Sequence, residues 1–216
     1  MMHAKTNSHW RCCALAALLS CAAVTARGQD GGSGLYGGLF GGLSALQGDE
    51  FTLGGATTTL NFDSGATAGV TLGYDYSGSP WRSEIEFAYR TGDASNFSGG
   101  AGAGGDLAST ALMFNGYYQF ATRSAWQPYV GAGLGVATEI DFDIEGGSAA
   151  GEYSDSGIFA AQVMAGTRYA LSERVSLYGE VRYFTAGSPD LETDGGQVLT
   201  VDYDTLDLIA GVAFRF

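Results

Sequence analysis

Residues 81–90 read WRSEIEFAYR, and their chemical character changes at every step along the chain. The odd positions carry mostly apolar or aromatic side chains, whereas four of the five even positions are charged: Arg82, Glu84, Glu86 and Arg90. Successive side chains of a β-strand point to opposite faces, so a period of two predicts a strand with one apolar face and one charged face.

The same alternation recurs in six further segments of about ten residues. The opening segment 34–46, a repeat of the form GLYG-GLFG-GLSA, adds an eighth strand, but the pattern does not predict which of its faces points inward. The connections alternate in length: short at 77–80, 121–126 and 172–174, and long at about 47–65, 91–106, 138–157 and 185–203. Short periplasmic turns alternating with long external loops are typical of outer-membrane barrels. We therefore predict an all-β fold, an eight-stranded antiparallel up-and-down transmembrane β-barrel.

The polar face of these strands is predicted to point into the barrel. It collects the charged residues Arg82, Glu84, Glu86, Arg90, Arg168, Glu180, Arg182, Asp207 and Arg215. A soluble up-and-down barrel such as a lipocalin, the alternative at the level of the fold, would instead place its apolar face inside, around a ligand. Charges inside and apolar residues outside indicate that the surrounding solvent is lipid.

The interior of an eight-stranded barrel is only wide enough for side chains to fill. The inward charges are therefore interpreted as a luminal ion-pair network that plugs the barrel. A narrow ion path through the same network is the alternative. Catalysis by the paired carboxylates of Glu84 and Glu86 would need room for a substrate, which a filled interior does not offer.

Aromatic residues cluster at the predicted periplasmic end, beside the short turns and the chain terminus. They are Tyr74, Tyr76, Trp81, Tyr118, Phe120, Trp126, Tyr169, Phe214 and Phe216. Tyr and Trp concentrate at membrane–water interfaces, so these residues predict an aromatic girdle.

The first 28 residues have the pattern of a secretory signal peptide, with Lys5 and Arg11 before the apolar run 12–24. Cleavage is expected after Ala26 or Gly28, leaving residues 29–216 as the barrel domain; lipidation at Cys21 is the alternative. Residues 29–216 contain no Cys, His or Lys. Disulfides, His or Cys metal ligands and nucleophile–histidine pairs are then excluded, and we predict no catalytic residue, no cofactor and no enzymatic activity.

The chain is acidic, with a formal net charge of −13, which disfavours nucleic acid as a partner. Fifteen of its 23 acidic residues fall in the four long connections, which contain no Lys or Arg. One of these connections carries Glu139, Asp141, Asp143 and Glu145 at alternate positions. They are expected either to continue the fifth strand with the polar face still inward, or to bind a divalent cation through clustered carboxylates.

Three motifs carry a family resemblance. The segment WQPYVGAGLG at 126–135 resembles the opening of the fifth strand of small outer-membrane β-barrel proteins of the opacity type, and EVRYF at 180–184 resembles their seventh strand. The ending with Gly211, Phe214 and Phe216 is similar to the C-terminal signal read by the outer-membrane barrel assembly machinery.

This resemblance implies a protein of the outer membrane of a Gram-negative bacterium, with outer-membrane lipid and the assembly machinery as partners. It favours a structural or interaction role, adhesin-like or in envelope integrity, exercised through surface-exposed loops whose partner is not predicted. The alternative is a small pore or a conduit for hydrophobic ligands.

Overall fold

The computed structural model describes residues 34–46, 50–53, 56–62, 65–97, 104–145, 151–188, 190–192 and 198–216. The predicted signal peptide, with Cys21 and both cleavage positions, lies outside these residues. All regular structure within them is β-strand, and none of their segments forms a helix long and apolar enough to cross a membrane.

The described residues form thirteen strands, numbered here in chain order. They are β1 (Leu35–Leu46), β2 (Glu50–Leu53), β3 (Ala56–Phe62), β4 (Gly65–Asp75), β5 (Trp81–Phe97), β6 (Gly104–Gln119), β7 (Trp126–Glu145), β8 (Gly151–Asp155), β9 (Ile158–Ala170), β10 (Val175–Thr185), β11 (Asp190–Glu192), β12 (Val198–Val201) and β13 (Asp204–Arg215).

Eight of these strands close into a barrel in which every neighbouring pair is antiparallel. The order around the barrel is β1–β4–β5–β6–β7–β9–β10–β13, and β13 pairs with β1 to close it, for example through Phe40 opposite Gly211. The prediction of an eight-stranded antiparallel barrel is confirmed. Closure leaves no strand edge in the lipid, where an unpaired backbone group has no water to bind.

The long connections are not the plain loops expected from the sequence. Strands β5, β6 and β7 continue into them as far as Phe97, Gly104 and Glu145, and the five short strands β2, β3, β8, β11 and β12 complete a second ring. In this ring β3 pairs with β5, β7 with β8, β8 with β11, β11 with β12, β12 with β2 and β2 with β3. We call this second ring the extension.

The height of the lipid-facing wall can be read from β7. The outward side chains of Trp126 and Val136 are 55% and 38% exposed, and every second residue between them also faces outward. The ten residue steps from Trp126 to Val136, at about 3.3 Å each along a strand tilted by about 40° from the barrel axis, give a height of roughly 25 Å. This is the height of the apolar band of an outer-membrane barrel. The extension therefore begins just beyond Val136, at the end of the barrel opposite the short turns.

A β-bulge marks this level in β7. The register with β6 shifts between Thr110 and Ala111, which pair with Glu139 and Ala137, so that Thr138 is the extra residue. Inserting one residue moves all following side chains to the opposite face. Ile140 is consequently buried inside at 1% exposure, and Glu139 is exposed outside.

The first strand, whose facing the sequence left open, is also oriented by the structure. Leu35, Leu39 and Leu43 are exposed toward lipid, while Tyr36 and Phe40 are buried in the lumen. Glycine on β4 makes room for these inward rings: a side chain at Gly73 would overlap the ring of Tyr36, and one at Gly69 the ring of Phe40. Large inward residues and neighbouring glycines together fill the barrel.

Candidate functional site

The interior of the barrel is the first candidate site, and its middle level is occupied by an ion-pair network. Arg182 lies between two glutamates: its Nη1 and Nη2 donate to the two carboxylate oxygens of Glu86 at 2.5 and 2.9 Å, and Nη2 also donates to Glu180 at 2.8 Å. Asn115 donates to Glu86 at 3.0 Å, and the Tyr129 hydroxyl donates to Glu180 at 3.0 Å. All charges in this network are buried and paired.

A second ion pair lies one level closer to the extension. Arg90 Nε donates to Asp207 Oδ2 at 2.9 Å, and Ser44 donates to the other oxygen of Asp207 at 2.7 Å. The guanidinium of Arg90 also lies 4.1 Å above the ring of Phe184. Arg90 and Asp207 are 1% and 0% exposed, so neither charge reaches water.

A third group lies nearer the periplasmic end. The Tyr36 hydroxyl donates to Glu84, and the same carboxylate is 3.5 Å from Arg82 and 3.8 Å from Arg168. Arg82 is held between the rings of Tyr117 and Tyr129, 4.1 and 4.3 Å from their centres. Stacking on aromatic faces stabilises a buried guanidinium that has few hydrogen-bond acceptors.

Above the charges, the interior changes from polar to apolar. A cluster of buried residues fills the barrel here, and we call it the apolar plug: Leu107, Ala111, Met113, Ala137, Ile140, Tyr153, Ala160, Phe184, Ala186 and Tyr203. Phe184 and Tyr203 meet edge to face, and the Tyr203 hydroxyl shares a hydrogen bond of 2.6 Å with Ser109.

Little free volume remains at either level. The cavity among the charges around Arg82 and Glu86 measures about 10 Å³, and so does the cavity between Arg90 and Tyr203. A cavity needs at least about 10–15 Å³ to hold one water molecule. These two spaces provide no room for a substrate or for a continuous column of water.

At the periplasmic end the lumen opens into a wider space, which we call the vestibule. It measures about 740 Å³ and is lined by Tyr36, Asp75, Gln127, Arg168 and Arg215, among others. Arg215 is on the inward face of β13, opposite Tyr36, but lies at the rim and not among the buried charges: its side chain is 49% exposed and pairs with Asp75 at 2.7 Å. As the last residue of β13, Arg215 lies where the wall ends.

The aromatic residues of the predicted girdle all lie at this same end, on the outer surface. Eight of them are between 37% and 56% exposed: Tyr74, Tyr76, Trp81, Tyr118, Phe120, Trp126, Phe214 and Phe216. Tyr169 is half-buried because it stacks on Trp126, with ring centres 4.8 Å apart. Gly211 faces inward, where an added side chain would overlap the ring of Tyr178.

The acidic stretch at 139–145 does not continue the inward polar face, and that expectation is wrong. The bulge at Thr138 turns Glu139 outward, and Asp141 and Asp143 share its face of β7. Within the described residues, no group of three or more Asp, Glu, His or Cys side chains is arranged to hold a metal ion. Beyond lipid level the outer surface of the barrel thus becomes acidic while its interior becomes apolar.

Sequence reasoning missed the tyrosines of the lumen. Tyr36, Tyr117, Tyr129 and Tyr178 point inward and contact or approach the buried charges. Their hydroxyl groups are suited to this place because a phenol can donate to a carboxylate while its ring packs against a guanidinium.

A closed antiparallel barrel with a lipid-facing apolar wall, an aromatic end and a charged interior defines the class of integral outer-membrane β-barrel proteins. The family described as outer membrane protein beta-barrel domain matches residues 13–216, and the chain belongs to this family. The predicted resemblance to small outer-membrane barrels and the predicted location in the outer membrane of a Gram-negative bacterium are confirmed.

Individual relatives agree with this assignment. The chain is 26% identical over 202 residues to outer membrane protein PagN of Salmonella typhimurium, covering 80% of this chain and 82% of PagN. Neisserial surface protein A superposes with a TM-score of 0.55 at 20% identity, covering 87% of this chain and 100% of that structure. OprG of Pseudomonas aeruginosa gives a TM-score of 0.52 at 21% identity, covering 86% and 99%. At these identities the two structures support the fold alone.

Proposed function

We propose that this protein is a non-conducting, non-catalytic barrel that acts at the cell surface through its acidic extension, in envelope integrity or in binding a partner. The observation that carries this proposal is the filled lumen. A hydrogen-bonded network around Arg182 occupies the middle of the barrel, and the apolar plug occupies the level above it. Each level alone leaves too little volume for a solute to pass.

The charge of the extension supports a role in interaction. The four connections that build it hold fifteen of the 23 acidic residues and none of the basic ones. Asp106, Glu139 and Asp202 are among the acids exposed to solvent. A surface of one sign repels polyanions and attracts basic or cation-bridged partners, and this attraction weakens as salt screens the charges.

Conductance in planar lipid bilayers tests the non-conducting barrel directly. The purified, refolded protein is expected to give no discrete current steps at any voltage at which the bilayer itself is stable. Discrete single-channel steps would overturn the proposal and favour the small pore. Uptake of an alkane or a fatty acid by vesicles, dependent on the protein, would favour the hydrophobic conduit instead.

A binding assay tests the acidic extension separately. Barrels in neutral nanodiscs are expected to bind poly-lysine but not poly-glutamate, with an affinity that falls as salt rises. A variant with Asp106→Asn, Glu139→Gln and Asp202→Asn should bind more weakly, whereas Glu173→Gln in a periplasmic turn should bind as the parent does. Equal binding of poly-lysine by all three proteins would contradict a role for the extension.

We also propose that the last strand is the segment read by the barrel assembly machinery. The half-exposed rings of Phe214 and Phe216, on the outer face of β13, support this assignment because a receptor could contact them before the barrel closes. Deleting Phe216 should reduce the amount of folded protein in the outer membrane, while Phe159→Leu, on the same lipid-facing surface far from the terminus, should not. Equal amounts of both variants would contradict it.

A further inference from the structure

The vestibule at the periplasmic end contains an arginine that is buried but poorly coordinated. The Arg168 side chain is only 7% exposed. Its nearest carboxylate oxygens are 3.6 Å away on Asp75 and 3.8 Å away on Glu84, both beyond hydrogen-bond distance. Its Nε makes no hydrogen bond to the described residues. A buried guanidinium offers five N–H donors, so this group has donor capacity that the described residues leave unused.

The charges around Arg168 do not balance either. Within the described residues, Arg82, Arg168 and Arg215 share the carboxylates of Asp75 and Glu84 as their ion-pair partners. Among side chains, three cations thus share two anions, and Arg174 and Glu173, which also line the vestibule, offset one another. One positive charge is left in excess at one end of a chain whose net charge is −13.

The excess charge faces an open space. Arg168 and Arg215 both line the vestibule, and both approach the same atom, Asp75 Oδ2, at 3.6 and 2.7 Å. Two guanidinium groups converging on one oxygen form a fork that suits a carboxylate or phosphate, because planar guanidinium groups bind such anions through paired hydrogen bonds. One further oxyanion would neutralise the cluster.

We propose that the vestibule is a binding site for an oxyanion, a carboxylate or phosphate group presented from the periplasmic side and held between Arg168 and Arg215. The group belongs either to a soluble periplasmic molecule or to a phospholipid headgroup of the inner leaflet. The site is independent of the extension and of the question of conductance.

Inorganic phosphate is the probe for the soluble source. Isothermal titration calorimetry on the full barrel in a neutral maltoside detergent is expected to show saturable binding of phosphate to a single site. Arg215→Gln should weaken this binding by about tenfold, which corresponds to about 1.4 kcal/mol. Because Arg215 is half-exposed at the rim, this variant is expected to fold.

Two matched variants make the test specific. Asp75→Asn removes the carboxylate that competes for the fork and should bind phosphate more tightly than the parent. Arg123→Gln removes one positive charge from another periplasmic turn, at a residue that does not line the vestibule, and should bind as the parent does.

Bicelles that contain phosphatidylglycerol test the lipid source. Saturable binding of phosphatidylglycerol, with the same ranking of affinities among the variants, would assign the oxyanion to a headgroup and would also support the site. Absence of saturable binding to both phosphate and phosphatidylglycerol would overturn the proposal. It would also be overturned if Arg215→Gln bound both probes as tightly as the parent does.

Discussion

The membrane-embedded barrel and the extension are inside-out relative to one another. In the membrane-embedded part, apolar side chains such as Leu134 point outward and charged ones such as Glu86 point inward. In the extension the order reverses: Ile140 and Tyr153 are buried inside, and Asp106 is exposed outside. The physical reason is the change of solvent around the wall from lipid to water, which requires apolar residues to leave the outer surface.

Neighbouring strands make this reversal in two different ways. Strand β7 keeps apolar residues at even positions throughout and turns them inward with the bulge at Thr138. Strand β6 has no such insertion, and its odd positions face inward along its whole length. Its apolar residues instead move from outward even positions, such as Leu112, to inward odd positions, such as Leu107. The solvent outside each level of the wall therefore decides which side chains face outward. A strand can meet this requirement either through a bulge in its backbone or through a change in its sequence pattern.

Exchanging Ile140 and Asp141, by Ile140→Asp with Asp141→Ile, should produce the largest effect, because it reverses the facing that the bulge sets on β7. The isoleucine would then face water and the carboxylate would face the apolar plug. Losing a buried isoleucine and burying a carboxylate together should cost more than about 5 kcal/mol, or prevent folding. Heat-modifiable migration on gels and urea unfolding in lipid vesicles measure this.

Thr138→Ala is the control for that exchange, because it keeps the extra residue and loses only the hydroxyl contacts with Thr110, the shorter of them 2.7 Å. It should cost about 1 kcal/mol. An exchange variant as stable as the alanine variant would show that the bulge does not fix the facing of residues 140 and 141.

Arg182→Met tests the charged interior of the membrane-embedded part. It leaves Glu86 and Glu180 buried without their shared cation, and removing one partner of a buried ion pair costs about 3–5 kcal/mol. The fluorescence of Trp81 and Trp126 during urea unfolding in vesicles reports the loss. The triple variant that adds Glu86→Gln and Glu180→Gln should regain much of it, because it no longer buries charge; a triple variant less stable than Arg182→Met would contradict this explanation.

Phe184→Ala tests the apolar interior in the same way. Phe184 is fully buried in the plug against Tyr203, and its ring also supports the guanidinium of Arg90. Truncating a buried phenylalanine should cost about 3 kcal/mol or somewhat more, whereas Phe184→Leu should cost less than about 1.5 kcal/mol. Equal, small losses in both variants would indicate that the plug is loosely packed.

Asp106→Asn should have the smallest effect, and it should be favourable. Asp106 lies directly opposite Asp143 on the outer surface of the extension, and like charges in opposed positions destabilise a sheet. Removing one should stabilise the protein by less than about 1 kcal/mol at low salt. The gain should vanish in 1 M salt; a gain that persists there would have another cause than charge repulsion.

Much of the membrane-embedded part was predictable from the sequence, because lipid outside and charge inside produce an alternation that local patterns reveal. The eight strands, the inward facing of Arg90 and Glu180 and the outward facing of Trp126 follow from it. The pairing of Arg182 with Glu86 did not, because residues 96 positions apart meet only through the closed sheet.

The extension was harder to predict. Ile140 resumes the apolar even positions of β7 after the single polar residue Thr138, and one threonine in an apolar row does not by itself indicate a bulge. The signal that could have revealed it is the length of β7. An apolar band of about 25 Å ends near Val136, so the residues of β7 beyond it must lie outside the lipid. The position of Arg215 at the rim was not predictable for a similar reason, since the facing of a residue along a strand does not say where the wall ends.

Cysteine accessibility tests the closed lumen most directly, since residues 29–216 contain no cysteine. Single cysteines can replace Ala88, among the buried charges, Ala111, in the apolar plug, and Ser176, in the vestibule. With the barrel folded in vesicles open to reagent on both sides, a charged water-soluble maleimide should label the cysteine at 176 and leave those at 88 and 111 unmodified until urea unfolds the protein. Labelling at 88 or 111 in the folded barrel, at a rate near that at 176, would contradict a sealed lumen.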